Sequence, residues 1–267
     1  MLKPNMVKAL SRESCGQTDP YFVAEIAKLG LDLGWKLAVG DSPAIGSIHQ
    51  TTKASGLDEL LKKIGVPIVQ LSGNVEVSWN GRPCSLAQQL SDFDALINLP
   101  KLKGHGQLYY SGAVKNLFGC IGGKKKVWLH MKIGDQDHGL AFAEMLLDQA
   151  LAVKSSLSIM DGVNAMAGRG PIHGTPVTEG LVAASLCPVA LDLALFKYLE
   201  GDVSQDPLMS LLGSQKWEKP CLDFPMGEVP RGDFYFPTPE QRKPISFRPW
   251  VLLRLAWRQM RSKLLAS

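Results

Sequence analysis

The sequence predicts an α/β fold: a largely parallel sheet covered by helices, followed by an irregular Pro-rich segment and a C-terminal amphipathic helix. Two observations predict it. Short apolar runs of strand character alternate with segments of helical periodicity over roughly 200 residues, the pattern of βαβ units. A hydrophobic share of 45% in 267 residues suffices for the core of one large domain. The expected organisation is an α/β domain over residues 1–215, an extended connection over 216–249 and a basic helix over 250–267.

MLKPNMV reads as the end of a strand followed by a Pro-Asn turn. A central strand rarely begins at residue one, so the sequence is expected to start late relative to its fold. From Thr18 a helix is expected, capped by Thr18 or Asp19 with Pro20 in its first turn and Phe22, Ile26, Leu29 and Leu33 as its apolar stripe. KLAVGDSP is a buried strand ending at Gly40-Asp41-Ser42. A short helix capped by Ser55 follows, then the strand VPIVQLSG. VEVSWNG alternates and turns at Asn80-Gly81. SLAQQLSDF is read as a short helix and DALINLPK as a strand. After a lysine- and glycine-rich block, LAFAEMLLDQALAVK is helical, LSIMDG is a strand ending at Asp161, and EGLVAASLCP is a strand. PVALDLALFKYLEG is a helix with Pro188 in its first turn. The Pro-rich stretch beyond it lacks periodicity and reads as a connection.

Charge is segregated. From Ala95 to Gly134 there are seven lysines and no acid, and from Gln241 to Ser267 seven Lys or Arg and no acid. The net charge of +4 therefore hides two basic islands on an acidic body. This fits local anion binding better than a nucleic-acid coat, and neither island carries a nucleic-acid-binding motif. The five cysteines are far apart, which excludes CxxC metal or cluster motifs and suggests reduced thiols in a cytoplasm. No signal peptide and no apolar stretch of about 20 residues is visible.

The strand ends Lys3-Pro4-Asn5, Gly40-Asp41-Ser42, Leu71-Ser72-Gly73, Asn98-Leu99-Pro100-Lys101 and Asp161-Gly162 would share one edge of a parallel sheet. Ligands of open α/β sheets bind outside that edge. Any one of these loops also reads as an ordinary turn. Lys101, Lys103 and Lys115 are candidate cations for phosphate or carboxylate. Lys3, Asn5, Ser111, Gly112 and Asn116 are candidate anion contacts, with Asp41, Ser42 and Asp161 as orienting groups. SGAVKNLFG reads as a short helix entered through Ser111-Gly112, whose free N–H groups would cradle an anion. Gly104, Gly106, Gly112, Gly119, Gly122 and Gly123 would let backbone approach a ligand. Neither a Walker loop nor GxGxxG after the first strand is present. The triplet Lys124–Lys126 reads as a solvated loop or as part of an anion gate. His105 can be structural, an acid/base group or a metal ligand.

The pieces LKPNMV, GDSP, NLPKLKGHG, SGAVKNLFGC, MDGVNAMAGRGP and CPVALDLA occur in order between Leu2 and Asp202 and resemble the domain-of-unknown-function family 362. The resemblance implies an α/β domain of prokaryotic type and no general activity. Many relatives carry CxxCxxCxxxCP runs; this chain has none, so no iron–sulfur cluster is expected. The family's first strand normally extends before KPN. More distantly, His105, Ser111-Gly112-Ala113-Val114-Lys115 and His130 are similar in order to lactate racemase, where a Gly-Tyr-Ser-Gly-Gly-x-Lys run tethers a nickel-pincer nucleotide. That likeness implies His105 as acid/base, Lys115 as cofactor contact and His130 as ligand to nickel or another divalent metal. Ala113 stands where that pattern has its second glycine.

The tail FRPWVLLRLAWRQMRSKLLAS, as a helix, puts Trp250, Leu253, Trp257, Met260 and Leu264 on one face and Arg254, Arg258 and Arg261 on another. It can pack on its own domain, lie on an anionic membrane or grip a partner. The functional expectation is a cytoplasmic protein that binds an anionic small molecule at the sheet edge, with His105 and Lys115 carrying proton-transfer chemistry of racemase or lyase type. The alternative is a non-catalytic accessory module, docked through its tail to a redox enzyme or to the inner face of a membrane. A homo-oligomer is left open.

Overall fold

The computed structural model describes residues 1–133, 139–214 and 230–242, without the side chains of Lys124, Val127, residues 130–132 and Ser214. The expected C-terminal helix and most of the Pro-rich connection lie outside the described residues.

The fold is α/β, built on a mostly parallel mixed sheet. Its strands are β1 (Leu2–Pro4), β2 (Val39–Asp41), β3 (Ile68–Gln70), β6 (Ile97–Leu99), β7 (Lys101–His105), β8 (Tyr109–Ser111), β9 (Leu157–Ala167) and β10 (Thr175–Ser185). The order is β3-β2-β1-β6-β9-β7-β8, with β10 paired to β9. The β1–β2, β1–β6, β2–β3, β6–β9 and β7–β9 pairs are parallel; β7–β8 and β9–β10 are antiparallel. A separate hairpin joins β4 (Val75–Trp79) and β5 (Arg82–Leu86) through Asn80-Gly81, as the sequence suggests.

The short first strand is central, hydrogen-bonded on both sides. Its alternation is decisive: Leu2 enters one apolar cluster, while Lys3 faces the other side of the sheet. That first cluster packs Leu2, Val39 and Leu99 against α1 (Pro20–Asp32), α2 (Ile48–Ser55) and α3 (Leu57–Lys63) through Val23, Ile48 and Leu61. The other gathers α4 (Ala113–Asn116), α6 (Leu140–Val153), α7 (Pro188–Tyr198) and α8 (Pro207–Ser214) through Leu117, Phe142, Leu195 and Leu212.

Asp19, one of the two expected caps, caps α1, its Oδ1 accepting from Tyr21 N at 2.8 Å and Phe22 N at 3.3 Å. Several other elements differ from the expectations. Ser55 ends α2 and does not cap α3; the left-handed Gly56 separates the two helices. The SLAQQLSDF segment splits between β5 and a 3₁₀ turn at Gln88–Asp92. Asp161 lies inside β9, which runs on to Ala167 because β10 pairs with it over most of its length. The lysine triplet opens α5 (Lys124–Ile133) and is not a loop.

Candidate functional site

The C-terminal ends of β1, β2 and β6, together with β7 and α4, form one polar network. Lys3 leaves β1 towards α4, and its Nζ stands 3.0 Å from Asp41 Oδ1, at the end of β2. The same ammonium donates to Pro4 O at 3.0 Å and to Asn116 Oδ1 at 3.4 Å. Asp41 also accepts from Met6 N at 3.1 Å and Ser42 N at 2.7 Å. Asn5 donates to Asn116 Oδ1 at 2.9 Å and accepts from Lys103 Nζ at 2.6 Å. Lys103 donates as well to Gly16 O at 3.0 Å. Asn116 reaches on to Asn98 Oδ1 at 2.8 Å.

Two further cations complete the group. Lys115, on α4, is half-buried and has no hydrogen-bond or ion-pair partner among the described residues. Burial first, then repulsion from Lys3, brings its pKa down to about 8. Lys126, buried in the first turn of α5, donates to Ser42 O. Burial also brings Lys126 to about 8, opposed by the attraction of Asp41. Lys103 is held well below the ordinary lysine range by burial, then by Lys115 and Lys101. Of these four lysines, Lys3 pairs with Asp41, and Asp41 also attracts Lys126. Packing like charges in a desolvated site is unfavourable unless an anion joins them.

Lys101 is placed differently. Its Nζ lies 2.8 Å from Asp161 Oδ2, with both side chains buried. Asp161 Oδ2 also accepts from Asp19 N at 2.8 Å, while its Oδ1 has no hydrogen-bond partner among the described residues. The loop between Asn5 and Thr18 lies over these groups. It is clamped at its base by Asn5 N to Thr18 Oγ1 at 2.7 Å, Thr18 N to Asn5 O at 3.1 Å and Thr18 Oγ1 to Leu99 O at 2.7 Å.

Other expected site residues serve the fold. The N–H groups at the start of α4 do not form an open cradle: Ala113 N and Val114 N donate to the carboxylate of Asp192 at 2.6 and 2.9 Å. A Cβ at Gly112 would lie on Asp192 Oδ1, so this glycine admits a side chain of the chain itself. Gly104 packs on the backbone of Gly168, and Gly122 on that of Gly73. These glycines permit backbone contact within the protein. Ser111 is Lys103's partner in the β7–β8 ladder. His105 is buried at the end of β7, and its Nδ1 accepts from Gln107 N at 3.3 Å and Leu108 N at 3.1 Å. That nitrogen organises the β7–β8 turn.

The lactate racemase likeness required His105, Lys115 and His130 together. Among the described residues no group of three or more His, Cys, Asp or Glu is placed to hold a metal. His105 Nδ1 is committed to its turn, and the side chain of His130 lies outside the described residues.

Asp192 was not among the expected site residues; Lys126 was expected only within its triplet and Asn98 only within a strand end. An acid inside the apolar run CPVALDLA was a signal for Asp192. Nothing in the triplet distinguished Lys126 from its neighbours.

Fold and site together define an α/β protein with a buried cluster of lysines at the C-terminal edge of its sheet. The family model described as Domain of unknown function (DUF362) matches residues 1–197. The chain belongs to this family. It is also 40% identical over 212 residues to a thylakoid-associated protein of Synechocystis sp.. The match covers 79% of this chain and 65% of that relative's length. Among the described residues no helix is long and apolar enough to cross a membrane.

Proposed function

We propose that the chain binds a multivalent oxyanion, of phosphate type, against Lys3, Lys103, Lys115 and Lys126. One observation carries this reading: among the described residues, four neighbouring lysines have one ion-paired carboxylate, Asp41, and Lys115 has no partner. Lysine serves phosphate as a point charge and needs no bidentate geometry. Asn5 and Asn116 orient the ammonium groups through their side-chain oxygens. As an enzyme, the chain would use Lys115 for proton transfer, because a lysine titrating at about 8 exchanges its proton near neutral pH. Calorimetric titration with inorganic phosphate and pyrophosphate tests the binding. Lys115→Met is expected to lower affinity at pH 7 roughly tenfold, the size of one lost charge-assisted contact. Equal affinity in the two proteins overturns the reading.

A second reading is favoured by the thylakoid-associated relative. In it, the basic tail holds the protein on an anionic membrane through Arg254, Arg258 and Arg261, and the cluster is an accessory feature. Co-sedimentation with vesicles containing anionic lipid, lost on deletion of residues 248–267 and unaffected by Lys115→Met, would favour it.

A further inference from the structure

Beside the lysine cluster, a cavity of about 300 Å³ opens between the loop residues Arg12–Cys15, the start of α1 and the β9–β10 hairpin. Its lining includes Arg12, Glu13, Cys15, Asp19, Lys101, Asn164 and Thr178. Lys101 is 2% exposed and has a single partner among the described residues, Asp161 Oδ2. An ammonium has three donors, so two remain at a cavity wall. At the same wall Asp19 Oδ1 caps α1, and its backbone N–H supports Asp161 from the same side as Lys101. Arg12 adds a second cation, partly offset by Glu13 beside it. Arg12 is held by Ser55 O at 3.3 Å and by the Tyr21 hydroxyl at 3.1 Å, with its guanidinium 5.4 Å from the Tyr21 ring centroid. Asn164 and Thr178 add neutral polar groups.

We propose that this cavity is a binding site for a small carboxylate, with Lys101 as the cation that receives it. Asp161 already neutralises part of the Lys101 charge, which suits a monoanion better than a phosphate dianion. The volume lies at the lower end of small-molecule sites and fits a ligand of a few heavy atoms. The receiving cation, Lys101, is not one of the four of the phosphate reading, and the paired substitution that tests it leaves those four in place.

Cys15 lines the cavity and lies within electrostatic range of Lys101 and Lys103, which makes it a built-in reporter. The intact chain is treated with iodoacetate or with its neutral isostere iodoacetamide, and modification at each cysteine is followed by peptide mass spectrometry. The exposed Cys187 is the internal reference. Iodoacetate is expected to be preferred at Cys15 over Cys187 by roughly tenfold, the scale of one charge-assisted contact. Acetate is expected to protect Cys15 from iodoacetamide saturably. The paired substitution Lys101→Gln with Asp161→Asn, which leaves no buried charge behind, is expected to abolish both effects. Equal reagent preference at Cys15 and Cys187, without acetate protection, overturns the proposal. So does failure of Cys15 to react with either reagent, because the cavity would then be closed to solutes of this size. Protection on the wild-type protein needs no variant, so a misfolded double mutant cannot leave the question open.

Discussion

The Lys3 ammonium stands 3.0 Å from Asp41 Oδ1, with neither side chain more than 2% exposed. The two arrive from adjacent parallel strands, and among the described residues the pair is the one ion pair made by a group of four lysines. The two halves are therefore unequal. Asp41→Asn leaves four ammonium groups with no carboxylate and is expected to destabilise the fold by about 3–5 kcal/mol. Lys3→Met removes one of the like charges, and Asp41 keeps Met6 N and Ser42 N as donors. Its expected cost is about 1–2 kcal/mol. Urea unfolding of both variants checks the order, and a larger cost for Lys3→Met would contradict it.

The lowered pKa values of Lys115 and Lys126 set a pH dependence with a definite sign. Both fall from 10.5 to about 8 on folding, with burial the first cause. Between these values the unfolded chain binds protons that the folded chain does not, so these two groups make stability rise with pH from about 8 to 10.5. Below about 8 both forms are protonated and their unfavourable contribution is complete. Phosphate binding has the opposite dependence, weakening as pH rises through about 8, and takes up protons when measured near that pH. Titration calorimetry in two buffers of different ionisation enthalpy reads the proton uptake, which Lys115→Met is expected to reduce.

How much of this was legible in the sequence depends on which force placed each residue. The alternation of strands and helices, with Lys3, Asn5, Asp41 and Ser42 at strand ends, follows from local patterning and survives in the structure. Strand β7 was hidden, because Lys101, Lys103 and His105 occupy the alternate positions that apolar residues normally take. Their burial depends on Asp161, Asn5 and Gly16, contributed from elsewhere in the chain. Asp161 looked like a strand end because Gly162 follows it, yet pairing with β10 carries the strand on to Ala167. The start of α4 read as an anion cradle for sound local reasons; that its anion is Asp192, 79 residues from Ala113, is a tertiary fact.

Asp192 offers a test of that internal cap. Burial lifts its carboxyl to about 7, against the pull of Val114 N and Ala113 N, which favour the carboxylate. Asp192→Asn replaces one acceptor by a donor facing a backbone N–H, and is expected to cost about 1.5–3 kcal/mol. The folded group holds its proton where the unfolded one has lost it, so its contribution is fully present below about 4 and is lost as pH rises through about 7. The deficit of the Asn variant should accordingly narrow over that interval in a series of chemical denaturations.

Gly119 gives the sharpest steric test of the cluster. A Cβ there would meet Lys3 Cε at 2.6 Å and would lie on Lys3 Nζ and Asp41 Oδ1. The end of a lysine side chain normally yields, but this one is fixed by Asp41, Pro4 O and Asn116. Gly119→Ala must therefore either displace the ion pair or move the backbone that follows α4, at an expected cost of about 1–3 kcal/mol. Because the displaced ammonium belongs to the proposed anion site, phosphate affinity should fall with stability. Gly34→Ala provides the contrast. Position 34 has φ of +80° and nothing within 4 Å of a Cβ, so alanine there costs about 1 kcal/mol through backbone strain alone. Thermal unfolding and phosphate titration on the two variants separate these cases: both lose stability, and only Gly119→Ala loses affinity.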